Sequence, residues 1–146
     1  MICESARKKL APLALTLLRL STGVIMSVHG WQKLTNIAGV TEGFGKMGFP
    51  APEIMVYLAV GGEFLGGLGL IVGLLTPIAA FGVACTMAVA IFKVHWSSGL
   101  LAQNNGFEYP LTLFMVALFF MINGAGPISL DALCCGRCKR GSSSGS

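Results

Sequence analysis

The chain has 146 residues, 54% of them hydrophobic and only 11% charged, with ten Lys/Arg against six Asp/Glu for a net charge of +4. Its mean hydropathy is +0.77. A soluble domain carries roughly 25% charged residues. This chain therefore cannot cover a water-facing surface with polar groups, which excludes a soluble enzyme, a disordered tail and a nucleic-acid module. An integral membrane protein remains, with the lipid bilayer as its solvent and no nucleic acid as partner.

A bilayer core of about 30 Å needs about 20 apolar residues per helix, because backbone N–H and C=O groups must be paired internally in hydrocarbon. Four segments meet that need: about 10–33, 54–75, 78–94 and 110–128. The second and third are separated only by the Thr76-Pro77 break, which predicts a tight helical hairpin. The fold expected is all-α, an integral membrane four-helix bundle. Residues 1–133 form the domain, and residues 134–146 form a Cys/basic and Gly/Ser-rich tail.

Basic residues orient such a bundle. Arg7, Lys8 and Lys9 precede the first span and Arg137, Lys139 and Arg140 follow the fourth, six in all. The loops from Thr35 to Glu53 and from Lys93 to Tyr109 belong to the other side. Lys33, Lys46 and Lys93 there are balanced by Glu42, Glu53 and Glu108. Both termini are expected to be cytoplasmic, in a multi-pass protein of a bacterial inner (plasma) membrane. Trp31, Tyr57, Trp96 and Tyr109 fall at the outer interface, where amphipathic rings favour the headgroup level. The Arg7-Lys8-Lys9 start also suits a signal peptide, but apolar character continues to Val28 without a small-x-small cleavage site.

Helical projection puts Thr16, Thr22, Gly23, Met26, Gly30 and Lys33 on the side of span one that carries Arg19. Leu10, Leu13, Leu17, Leu20, Val24 and Val28 lie opposite, toward lipid. In span two, Gly66 and Gly67 share a face with Glu63, where small residues let backbones approach closely. Ala80, Ala84 and Ala88 give span three a small-residue stripe, and Cys85 is expected in the core.

Arg19 and Glu63 are the unusual residues. Each stands nine residues inside its span from opposite surfaces, which at 1.5 Å per residue is about 14 Å deep, near one level. A charge at that depth costs at least about 2.5–3.5 kcal/mol, so a direct Arg19–Glu63 pair is expected, either as a structural ion pair fixing the hairpin or as part of a functional polar site. A second polar group gathers nearer the outer mouth: His29, Lys33, Lys93, His95 and Glu108. It reads as interfacial packing or as a substrate or proton entrance leading down to Arg19 and Glu63. Neither His has a second His at i+3 or i+4, so no metal or haem site is expected.

Cys135-Gly-Arg-Cys138 is a lone C-x-x-C on a reducing side, which is a weak signal for redox or metal chemistry and argues against a structural disulfide. No nucleophile triad, phosphate loop or dinucleotide fingerprint is present. No self-contained catalytic site is visible, and catalytic residues stay unassigned.

The order of short motifs resembles the DoxX family of small four-helix membrane proteins. These are Leu18-Arg19-Leu20 with Gly23, His29-Gly30 before Lys33-Leu34, Glu63 with Gly66-Gly67, Gly73-Leu74-Leu75-Thr76, His95, Tyr109-Pro110 and the closing run Gly124 to Asp131. Together they cover about residues 13–133. Pro77 departs from the pattern, since many relatives carry a basic residue there. The resemblance implies a membrane accessory subunit of a quinone-linked oxidoreductase rather than an independent enzyme. The binding residues expected are Arg19, Glu63, His29, Lys33, His95 and Glu108, with quinone or another amphipathic small molecule as ligand and a homo-oligomer or redox protein as partner. A small-molecule or proton-coupled transporter and a non-catalytic scaffold are the alternatives.

Overall fold

The computed structural model describes residues 4–134. Cys3, Cys135, Cys138 and the basic residues Arg137, Lys139 and Arg140 lie outside the described residues. Among those described the chain is helical, with no strand. Helix α1 spans Glu4–Thr35, and α2, Ile37–Lys46, starts where the Asn36 side chain accepts from the Gly39 amide. Helix α3 spans Pro52–Val72 and α4 spans Thr76–Ser98, each opened by a proline in its first turn, where a missing N–H costs nothing. Helix α5 spans Glu108–Asn123.

Three of these helices, α1, α3 and α4, are long and apolar enough to cross a membrane. Helix α5, at 16 residues, is shorter, and its apolar run continues to Ile128 without helical structure. Helix α4 outlasts the expected third span. It continues through a π-helical turn at Ala90–His95 and a final 3-10 turn to Ser98. A second π-helical turn interrupts α3 at Gly61–Leu65.

The faces follow the sequence pattern. Leu10, Leu13, Leu17, Val24 and Val28 are about half exposed, while Met26 is wholly buried. Met26 and Leu70 meet Val83, Met87, Leu113 and Phe120 in a core shared by four helices. Cys85 is exposed rather than in the core. The buried side of α4 runs through Ala80, Val83, Ala84 and Met87, and at 100° per residue Cys85 falls outside that stripe, beside the exposed Phe81 and Val89.

Glycines set how α1 and α3 meet. A Cβ on Gly23 would stand 2.8 Å from the Gly67 carbonyl oxygen, and one on Gly30 would collide with the backbone amide of Phe64. Such close backbone approach fixes the register of the two helices. The α3–α4 turn closes with Gly73 (φ 67°) and Leu75 (φ 48°) in the left-handed region. At Gly73 a side chain would also meet the Arg19 guanidinium.

Candidate functional site

Two polar clusters occupy opposite ends of the bundle. At the end holding the α3–α4 turn, Arg19 is 2% exposed. Its Nη1 donates to the carbonyls of Leu70 (2.6 Å) and Ile71 (3.2 Å), and its Nη2 to that of Ile128 (2.8 Å). The guanidinium thus satisfies carbonyls near the end of α3 and ties them to the chain after α5. Asp131 completes the knot: its carboxylate accepts from the amides of Leu75 (2.7 Å) and Thr76 (2.9 Å). Its own amide donates to the Gly73 carbonyl (2.8 Å). Burial alone would raise the Asp131 carboxyl, but the two amides and the Arg19 charge outweigh it and hold it below the ordinary carboxylate value.

Arg19 therefore does not pair with Glu63, contrary to the expectation from depth. Glu63 pairs with Lys33, whose ammonium reaches both carboxylate oxygens. The glycine contacts explain the difference. They set Gly30 beside Phe64 and Gly23 beside Gly67 and Ile71, which brings Lys33 level with Glu63 and carries Arg19 past Leu70. Lys33 and Arg19 are fourteen residues apart on α1, about 21 Å along the axis. The first turns of α3 stand beyond the end of α1 and pack against α2. The apolar starts of the two helices thus do not mark the two faces of one slab, and equal distance from each start does not mean equal depth.

The other end, marked by α2 and the α4–α5 loop, holds a cavity of about 380 Å³. Lys33, Glu63, His29, His95, Asn105 and Tyr109 form its polar wall, and Met26, Met87, Ala90, Pro110 and Leu113 its apolar wall. Both π-helical turns face it, one supplying Glu63 and the other Ala90 and His95. A π turn adds a residue to one helical turn and so aims a side chain that a regular helix would place elsewhere. The Glu63 side chain is 5% exposed and that of Lys33 27%. The Lys33 ammonium has three N–H donors, and Glu63 is its only hydrogen-bond partner among the described residues.

The loop from Gly99 to Phe107 roofs the cavity. Gly106 packs against the loop backbone so tightly that no side chain fits there. The amides of Phe107 and Glu108 donate to the carbonyls of Gly99 (3.0 Å) and Leu100 (2.9 Å). Glu108 does not line the cavity; its Oε1 accepts from the Ala102 amide (2.8 Å) and holds the roof. His95 Nδ1 lies 2.7 Å from the Asn105 carbonyl oxygen. Because a carbonyl only accepts, Nδ1 carries the hydrogen and Nε2 is the nitrogen left for other chemistry. The His29 and Tyr109 rings stand 6.3 Å apart at 52°.

Of the six residues singled out in the sequence, four, His29, Lys33, Glu63 and His95, meet around one cavity. Arg19 sits at the far end and Glu108 behind the roof. Tyr109 and Asn105 join the wall, and Asp131 joins Arg19. Tyr109 and Asp131 stand in two of the short runs on which the resemblance in the sequence rests, whereas nothing in the sequence marks Asn105 or the π turns.

The fold and the buried charges are those of a multi-pass helical membrane protein, and comparison with known proteins places it in the inner membrane. The DoxX family model matches residues 14–96, more than half of the chain. The chain belongs to the DoxX family. It is similar to the Bacillus subtilis protein named "Putative oxidoreductase CatD", 31% identical over 79% of this chain and 82% of that protein. It is also similar to an uncharacterized Haemophilus influenzae protein, 32% identical over 85% and 92% of the two chains. Inner membrane protein YqjF of Escherichia coli is 29% identical over 86% and 95%. No solved structure matches the chain.

Proposed function

We propose that this protein is a membrane subunit of an oxidoreductase system and binds a quinone, or a molecule with the same carbonyl-bearing head and apolar body, in the cavity at the α2 end. The observation that carries the reading is the Lys33–Glu63 pair, a buried carboxylate held by a partly exposed ammonium, beside a cavity of about 380 Å³. An ionisable pair inside a membrane protein is costly, and such residues mark ligand, ion or proton sites. A quinone head offers acceptors and no donor, and Lys33, the Tyr109 hydroxyl and the His29 ring supply donors around it. Met26, Met87 and Leu113 suit its apolar ring. His95, with Nδ1 committed to Asn105, offers Nε2 for proton exchange with the bound molecule. Electron transfer belongs to the quinone and a redox partner protein, and the oxidoreductase name of the Bacillus relative supports that part.

In this reading residues 1–133 form a four-span domain, with α5 and the apolar stretch to Ile128 as the fourth crossing. Residues 134–146 are a tail, and both termini are cytoplasmic, so the cavity lies in the outer half of the membrane. Glu108 acts as a positioning residue for the roof, and Arg19 secures the cytoplasmic end. The assembly is completed by further copies of the chain or by the redox partner.

Titration of a decyl-tailed benzoquinone into the protein in lipid nanodiscs tests the reading, with quenching of Trp31 and Trp96 fluorescence and native mass spectrometry as readouts. Saturable binding of one molecule per chain, lost in a folded Glu63→Gln protein, is the expected result. A folded wild-type protein with no saturable binding contradicts it.

A further inference from the structure

We infer that the molecule in this cavity leaves its apolar tail in the seam between α1 and α5, with His29 and Tyr109 on either side of the opening, and so comes from the bilayer rather than from water. The inference rests on the reading of the cavity as a quinone site. Its first support is size. About 380 Å³ is near the lower end of the roughly 300–1,000 Å³ of small-molecule pockets, enough for a head but not for a long tail as well, so the tail must pass between helices.

Three of the four sides are shut. Between α1 and α3, a Cβ on Gly67 would stand 2.5 Å from the Ser27 amide. Between α3 and α4, one on Gly62 would stand 2.8 Å from the Gly82 carbonyl oxygen. Helices α4 and α5 pack extensively along Thr76–Val89, and beyond Val89 the His95–Asn105 contact joins α4 to the roof. Overhead, the roof is held by its own backbone bonds, by Glu108 and by His95. Helices α1 and α5, in contrast, scarcely touch.

What closes the α1–α5 seam differs with depth. Toward the middle of the bundle Met26 packs into the core with Leu113 and Phe120. One turn nearer the α2 end, His29 and Tyr109 both line the cavity and both remain exposed on their outer side. No hydrogen bond joins them, and their ring centres are 6.3 Å apart. The wall there consists of two exposed side-chain rings rather than packed backbone.

The test closes the seam and compares two probes, a decyl-tailed benzoquinone and the same ring without a tail. Ile25→Trp leaves both rings in place and adds bulk one turn below His29 on the same side of α1. In the folded variant the tailed quinone should lose about tenfold or more in affinity, while the tailless ring binds as in the unmodified protein. Where Ile25→Trp does not fold, the smaller Ile25→Phe carries the same expectation. Equal binding of the tailed probe by the folded variant and the unmodified protein, or equal loss of both probes, would overturn the inference. Failure of the unmodified protein to bind either probe would instead remove the quinone reading, and this inference with it.

Discussion

Each end of the bundle buries a charge, and the two charges are handled in opposite ways. At the turn end, Arg19 gives its terminal N–H groups to the carbonyls of Leu70, Ile71 and Ile128, and Asp131 caps the start of α4. Those groups are spent on holding backbone. At the α2 end, Glu63 is equally buried, but its partner Lys33 stays partly exposed beside an open cavity with two imidazoles and a phenol. Burial of a charge alone therefore does not distinguish structure from function. The distinction lies in what its hydrogen-bonding groups touch and whether a cavity opens beside them, since the buried Arg19 Nε is also without a partner among the described residues.

Removing Arg19 should have the largest effect on the fold. Arg19→Met strands three carbonyls and leaves Asp131 without its counter-charge. A loss of about 3–5 kcal/mol is expected, the scale for breaking a buried ionic network, measured by unfolding in detergent or bilayers. Quinone binding by whatever fraction remains folded should be unchanged. A stable Arg19→Met protein that fails to bind would place the functional charge at the wrong end.

Gly30→Ala should cost about 1–3 kcal/mol, since the new methyl collides with the backbone at Phe64 and forces α1 from α3. Because Lys33 is one turn away, this variant should also weaken ligand binding, unlike Arg19→Met. Gly43→Ala, at a site with open space around it, is the control and should change neither.

Asp131→Asn should cost about 0.5–2 kcal/mol, as loss of a helix cap does. The native carboxyl is held below its ordinary value, so the folded state binds its proton less readily than the unfolded chain. Its contribution is therefore complete above the unfolded pKa of about 3.9. It is lost as the pH falls through the lower folded value. Unfolding measured from pH 7 down to acid should show that loss in the wild type, and the Asn variant should lack this part of the slope.

Much of the architecture was legible because the bilayer imposes it: helix length, the lipid-facing leucines and the tight α3–α4 hairpin follow from hydrocarbon's intolerance of unpaired backbone, although the turn falls at Gly73–Leu75 and Thr76-Pro77 already opens α4. The convergence of His29, Lys33 and His95 was legible for a related reason, as all three stand near the same ends of their helices. The partner of Glu63 was not. Register depends on which glycines meet across the α1–α3 contact, and counting inward from the apolar ends assumed that both helices begin at a membrane surface. Asp131 was visible as part of a motif, but its role as a cap needs the return of the chain after α5 to the α3–α4 turn, a contact between distant residues with no periodic signature. The π turns and the roof arise from local packing that composition does not encode.

The separation of the two ends is tested most directly by two double-mutant cycles sharing one residue, with Glu63→Gln combined first with Lys33→Met and then with Arg19→Met, and unfolding followed in the same bilayer. Residues in contact couple by about 0.5–3 kcal/mol, whereas distant ones add to within about 0.3–0.5 kcal/mol. Clear coupling is expected for Lys33–Glu63 and simple additivity for Arg19–Glu63. Strong coupling between Arg19 and Glu63, with none between Lys33 and Glu63, would contradict that separation.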